Sequence, residues 1–150
     1  MAMTKLNQLL EENQLDLRTM IVFKKAERTI RTIEYHAIKE NNLTPTQFSV
    51  LETLYSKGEM RIQDLIDRML ATSGNMTVVI KNMLRDGLIL RSCDPKDRRS
   101  FLIQLSSKGR ALVEEILPQH IECVKEALAI LSDEDKENLI RILKKFKRLS

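Results

Sequence analysis

A mainly α-helical fold carrying a short two-stranded arm is the architecture this 150-residue sequence predicts, on three observations. Apolar residues recur at three- and four-residue spacing through most of the chain, and only four Gly and three Pro punctuate it. Between Leu88 and Leu105 the pattern changes to two β-prone runs flanking a charged turn. With 43% apolar and 31% charged residues and no repeat or low-complexity segment, one folded domain accounts for the whole length.

Taken in order, Leu17, Met20, Ile21, Ala26, Ile30, Ile33, Ala37 and Ile38 keep helical spacing, and no Pro or Gly interrupts residues 1 to 44, so one long opening helix is expected, ending at Glu40-Asn41-Asn42. The next helix has a sharply specified start. Thr44 is its N-cap, Pro45 its first residue and Gln47 the reciprocal partner of a capping box. Phe48, Val50, Leu51 and Leu54 form its apolar stripe, and Lys57-Gly58 close it. Ile62, Leu65, Ile66, Met69 and Leu70 predict a short third helix, separated from a fourth only by Ala71-Thr72-Ser73. The fourth runs to Asp86-Gly87 with Met76, Val79, Ile80, Met83 and Leu84 on its core face. Thr77, Lys81 and Arg85 lie opposite, with Gly74, Val78 and Asn82 beside them.

Strands are expected at 88 to 93 and 101 to 105, joined by Asp94-Pro95-Lys96-Asp97-Arg98-Arg99-Ser100, a connection too long for a tight hairpin and therefore read as a projecting loop. Ser106 caps a long helix containing Leu112, Val113, Ile116, Leu117, Ile121, Val124 and Leu128, with a kink expected at Pro118. Ser132-Asp133-Glu134-Asp135 caps the last helix, whose Leu139, Ile140, Leu143 and Phe146 stripe ends among Lys144, Lys145, Lys147 and Arg148. Helix, helix, strand, basic loop, strand is the order of a winged helix-turn-helix, here with amphipathic helices at both ends. Those ends carry more apolar surface than the small centre can cover, which predicts a homodimer pairing through them.

Charge points the same way. Residues 61 to 110 hold ten Lys/Arg against five acids, so the middle third carries +5 and the remainder −1 of the net +4. A basic centre between near-neutral ends suits a nucleic-acid reader on a pairing scaffold, although a solvated charged surface gives the same count. No apolar run approaches the roughly 20 residues that span a bilayer, and Met1-Ala2-Met3-Thr4-Lys5 does not open a secretory leader, so a cytoplasmic protein with no membrane partner is expected. Cys93 and Cys123 are too few for a disulfide framework and lack CxxC spacing. HExxH, GxSxG, Walker and GxGxxG patterns are absent, so no enzyme, catalytic residue, cofactor or metal is expected.

In the order of these elements, and in four motifs, the sequence resembles the MarR family of bacterial transcription regulators over almost its whole length. The motifs are Leu43-Thr44-Pro45-Thr46-Gln47-Phe48, Leu84-Arg85-Asp86-Gly87-Leu88-Ile89, Asp94-Pro95-Lys96-Asp97-Arg98-Arg99 and Leu105-Ser106-Ser107-Lys108-Gly109. The resemblance implies a single domain with a winged core at about 43–105, dimerisation helices at about 4–41 and 107–148, and double-stranded DNA as partner. It implies a pseudo-palindromic operator and a repressor released by a small-molecule effector. Leu70-Ala71-Thr72-Ser73-Gly74-Asn75-Met76-Thr77 looks like the branch responsive to quinones and phenolic compounds.

On the recognition helix Thr72, Ser73, Gly74, Asn75, Thr77, Val78 and Lys81 are the candidate DNA contacts; the alternative is that Thr72 and Ser73 only cap the helix and Lys81 is only solvated. Val78 stands where the family often has arginine or another long polar residue, so base readout there is poorer or turns to a thymine methyl. In the wing, Arg98 or Arg99 suits the negative minor groove, with Lys96 nearby and Asp97 orienting the arginine from its own loop. Arg28, Tyr35, His36 and Phe48 are candidates for an effector pocket, although ordinary packing or solvation explains each as well. Cys93 neighbours Arg91, Lys96 and Arg98 and is a candidate redox sensor, against the alternative of a partly buried thiol at a strand end. His120 and Cys123, at i and i+3, have the spacing of half a metal site, but the chain has only two His and the one acid nearby, Glu122, points elsewhere, so no metal role is expected. A winged module that binds protein instead of DNA remains the other class, and Arg98-Arg99 speaks against it.

Overall fold

The helix with a polar face and the arm beside it are organised by how the chain turns at their ends, and a computed structural model describes these turns within residues 4–69 and 73–146. Leu70, Thr72, Lys147 and Arg148, named above, lie outside the described residues. The chain divides into two compact units, Tyr35–Cys123 and Met1–Glu34 with Val124–Ser150.

The opening segment is three helices instead of one: α1 (Lys5–Glu12), α2 (Gln14–Glu34) and α3 (His36–Glu40). At Asn13 the side-chain amide donates to the Leu9 carbonyl at 2.8 Å, competing with the backbone for the same acceptor, and the residue sits at φ −111° and ψ 15°. Tyr35, at φ −88° and ψ 5°, makes the second break where one compact unit gives way to the other. Neither break needs a Pro or Gly, which is why apolar spacing alone misses them. No side chain of α1, α2 or α8 (Asp133–Leu143) is buried.

In the other unit, α4 (Pro45–Lys57) begins with the expected capping box, Gln47 N–H donating to Thr44 Oγ1 at 3.1 Å and Thr44 N–H to Gln47 Oε1 at 3.0 Å. Gly58, at φ 81°, lets the chain leave α4 for β1 (Met60–Arg61), a strand too short for sequence alternation to reveal. β1 leads straight into α5 (Ile62–Met69), followed by α6 (Ser73–Arg85), β2 (Ile89–Asp94), β3 (Asp97–Leu105) and α7 (Ser107–Leu128), which continues through Pro118. The sheet order is β1-β3-β2, all antiparallel, with Met60 opposite Ile103 and Ile89 opposite Leu105. This is a winged helix-turn-helix. Its core joins Val50, Leu51 and Leu54 of α4 to Leu65 and Ile66 of α5, then to Met76, Ile80 and Met83 of α6, with Ile89, Ile103 and Val113 closing it. Burying each such side chain contributes about 1.5–3 kcal/mol, so the amphipathic faces of α5 and α6 are fixed by packing more than by helix propensity.

The arm differs from expectation at its tip. Only Pro95 and Lys96 turn the hairpin, Asp94 pairs with Asp97, and Cys93 pairs with Phe101, so Arg98, Arg99 and Ser100 form a bulge on β3 instead of a long loop. Carboxylates hold this shape. Asp94, 4% exposed, accepts Lys96 N–H at 2.8 Å through Oδ1 and the Arg61 guanidinium through Oδ2 at 2.6 and 2.7 Å. Asp97 accepts Arg99 N–H at 3.0 Å and the Ser100 hydroxyl at 2.7 Å. Each aspartate thereby supplies a local turn that the sequence lacks a glycine to make.

At the other end of α6, Gly87 takes φ 72° and closes a Schellman motif, with Leu88 N–H bonded to the Met83 carbonyl at 3.0 Å and Gly87 N–H to Leu84 at 3.1 Å. Ser106 Oγ donates to the Gly87 carbonyl at 2.6 Å and accepts Gly109 N–H at 2.9 Å, capping α7 while gripping the end of α6. Lys108 Nζ donates to the Asp86 carbonyl at 2.9 Å. Gly109 lies so close that a Cβ there would meet the Leu88 carbonyl oxygen at 2.0 Å.

Gly109→Ala should therefore lower the unfolding free energy by about 1–3 kcal/mol or more, because the obstruction is backbone, whereas Ser107→Ala at an exposed neighbour should stay within about 0.5 kcal/mol; urea melts distinguish them. The Asp94 carboxyl is held below its usual range, first by the Lys96 N–H and then by Arg61, against the opposing effect of burial. A carboxyl depressed on folding stabilises the fold above its unfolded value and loses that contribution as pH falls through its folded one. Asp94→Asn should reduce stability at neutral pH and flatten its decline below about pH 4, measured by denaturant melts across that range. An unchanged acid slope would remove Asp94 from the account.

Candidate nucleic-acid interface

α6 has two faces because its turns alternate between core and open positions. Met76, Ile80 and Met83 are buried, and among the candidate contacts Asn75, Thr77, Val78 and Lys81 are exposed. Ser73 and Gly74 are its first two residues. Arg85 closes the open face and holds Asp86 through Nε at 2.9 Å, a contact that raises the guanidinium pKa. The Val78 side chain is an exposed aliphatic group in an otherwise polar row, 57% accessible.

On the arm, Lys96, Arg98 and Arg99 are exposed and Asp97 half-buried. Asp97 orients the bulge differently from expectation. Its carboxylate binds the backbone N–H of Arg99 and the hydroxyl of Ser100, and these two bonds, the hydroxyl first, lower its pKa. The arginines are thus positioned through the main chain. The bulge displaces them from the regular ladder, so both emerge from one short stretch of β3.

Two further cations belong to this region. Arg91, on β2, lies 4.3 Å from the Phe101 ring centroid and shares with Thr77, Lys81, Ile62, Ile80 and Leu84 a concavity of about 280 Å³. Arg61 holds Asp94 and so ties β1, at the entry to α5, to the turn of the arm. The sequence names both residues as charge. What hides their roles is distance, since Arg61 and Asp94 stand 33 residues apart.

The candidate effector residues fall in both compact units, Arg28 in one and Tyr35, His36 and Phe48 in the other. Phe48 is 1% exposed, its ring 4.9 Å from that of buried His120, and forms a small core with Ile38 and Ile116 on which half-buried Tyr35 packs. His36 is exposed, with Nδ1 3.6 Å from Glu40 Oε2. Arg28 is exposed on α2 in the other compact unit. The burial of Phe48 agrees with its place on the α4 apolar stripe. His120 likewise packs on an aromatic ring. Cys93 is exposed on β2 opposite Phe101, not partly buried, and Cys123 is half-buried on α7. Among the described residues no group of three or more His, Cys, Asp or Glu side chains could hold a metal ion, and no helix is long and apolar enough to cross a membrane.

Comparison with known proteins gives a consistent result. A model described as the MarR family matches residues 43–101. The uncharacterized HTH-type transcriptional regulator YkoM of Bacillus subtilis (strain 168) is 37% identical over 131 residues, covering 85% of each chain. The HTH-type transcriptional regulator MhqR of the same organism is 35% identical over 129 residues, covering 86% of this chain and 89% of the relative. Among solved structures, a probable transcriptional regulator from Pseudomonas aeruginosa superposes with a TM-score of 0.78 at 31% identity, covering 87% of this chain and 98% of that one. Bordetella bronchiseptica BpsR, whose DNA binding is regulated by 6-hydroxynicotinic acid, gives a TM-score of 0.76 at 27% identity over 83% of this chain and 89% of that one. The relatives are transcription regulators, not enzymes. The helix with one open face, the arm with its basic bulge and a likeness that runs over most of each chain together make this protein a member of the MarR family.

Proposed function

We propose that the chain is a cytoplasmic, ligand-responsive repressor that binds a pseudo-palindromic operator as a homodimer. The observation that carries the reading is the pairing of an α6 whose polar and cationic side is open with an arm whose Arg98 and Arg99 stand together on a bulge. A helix of this length fits the major groove, where Thr72, Ser73, Gly74, Asn75, Thr77, Val78 and Lys81 face bases or phosphates, and Lys96, Asp97, Arg98 and Arg99 belong to a wing over the adjacent minor groove. Arg91 joins this set as a phosphate contact, since it borders the same concavity as Lys81.

Pairing through residues at about 4–41 and 107–148 follows from the apolar surface of the terminal helices. Leu10, Leu17, Met20, Ile21, Phe23, Ile140 and Ile142 are each about half exposed, a concentration of apolar side chains in water that favours a covering partner. A second copy of the chain covers such a surface by symmetry and sets two recognition helices one helical turn of DNA apart. For the effector we favour a hydroxylated aromatic compound, phenolic or quinone-like. The support is the likeness to BpsR and the segment around Thr72.

Replacing Arg98 and Arg99 together by Ala should weaken duplex binding at least tenfold at moderate salt and lower the slope of log affinity against log salt by about one to two, in anisotropy titrations. An unchanged slope removes the wing from the interface. The same titration, repeated with a panel of hydroxylated aromatic acids and quinones, tests the effector class, and a panel that releases no duplex overturns it. Leu17→Glu with Ile21→Glu should convert a sedimenting dimer into a monomer at micromolar concentration, and an intact dimer would exclude this surface of α2 from the pairing.

A further inference from the structure

The open face of α6 carries one residue that neither capping, packing nor charge explains. Met76, Ile80 and Met83 are buried, so the opposite line of the helix runs through positions 74, 78, 81 and 85 at i, i+4, i+7 and i+11. On that line Lys81 and Arg85 are exposed cations, position 74 is glycine, and Val78 is 57% exposed. Local helix stability does not ask for valine here, because a β-branched side chain is a poorer helix former than alanine or lysine at an exposed position.

We infer that Val78 is a specificity-determining residue that reads the C5 methyl of a thymine in the major groove. The inference rests on the DNA-binding reading above and deepens it. A helix whose outermost line begins with glycine and valine can bring its backbone closer to the base edges than one carrying a long side chain there. At that depth the valine methyls offer neither donor nor acceptor. Against guanine, adenine or cytosine they strip water from a polar edge without replacing its hydrogen bond, whereas the thymine methyl is the apolar group the major groove presents. Attraction to one base and a desolvation penalty against the others therefore act together. Asn75 and Thr77 flank this line and Lys81 lies on it, one turn beyond Val78; all three suit phosphates or adjacent bases, so they fix the register in which Val78 meets its base.

The test begins with the intact protein and a random duplex pool, from which retained sequences are recovered and one is synthesised with each thymine in turn replaced by deoxyuridine, which lacks only the methyl. The expected result is one position per half-site where that replacement weakens binding about fourfold for the unaltered protein and less than about twofold for Val78→Ala. Val78→Ser serves as a second variant and should show the same indifference. If every deoxyuridine duplex binds as well as its parent, or if the loss persists undiminished in both variants, the inference is overturned while DNA binding stands. If no duplex is retained at low salt, the DNA-binding reading falls and this inference with it.

Discussion

The contact between Gly109 and the Leu88 carbonyl is the constraint on which the reading end of this protein depends. Helix α6 can offer a stable open face only if its carboxyl end is fixed, and that end is held by a Schellman turn, by Ser106 and Lys108 on its last carbonyls, and by a glycine that allows α7 to begin against the Leu88 backbone. The same residues start α7, so α6 and α7 share one joint. Because β2 leaves that joint and β3 returns to it, the base of the wing is set there too. The amino end of α7, the carboxyl end of α6 and the base of the arm are thus fixed at one place.

The tip of the arm is governed by a second, electrostatic device. Asp94 and Asp97 spend their carboxylates on backbone N–H groups and on Ser100, and Arg61 neutralises the buried one. Four cations remain exposed at or beside the arm in Arg91, Lys96, Arg98 and Arg99. The acids of the wing thus shape it while its bases face outward, a division that a net charge cannot reveal. A net charge of +4 understates the local field for this reason.

Much of this was legible in the sequence where a single residue type dictates a local geometry. Thr44-Pro45-Gln47 forms the expected capping box, Ser132 caps α8 as expected, Gly58 and Gly87 take the positive φ that ends their helices, and the described stripe residues of α4, α5 and α6 are buried or pack against the core. What failed depended on partners distant in sequence or on side chains doing a glycine's work. The bulge of β3 rests on aspartate hydrogen bonds, the breaks at Asn13 and Tyr35 carry no breaker residue, and β1 exists only because β3 lies beside it. The roles of Arg61 and Gly109 appear only once the chain is folded, because each acts on a backbone or carboxylate far along the sequence.

The central claim is that two copies of one α6 and wing grip a single duplex. Hydroxyl-radical footprinting of the intact protein on a retained duplex tests it most directly. The expected result is two protected segments whose centres lie about 10 base pairs apart, or a multiple of that turn, each with minor-groove protection that Arg98→Ala with Arg99→Ala removes. Protection confined to one segment, or minor-groove protection that survives the double substitution, would contradict it.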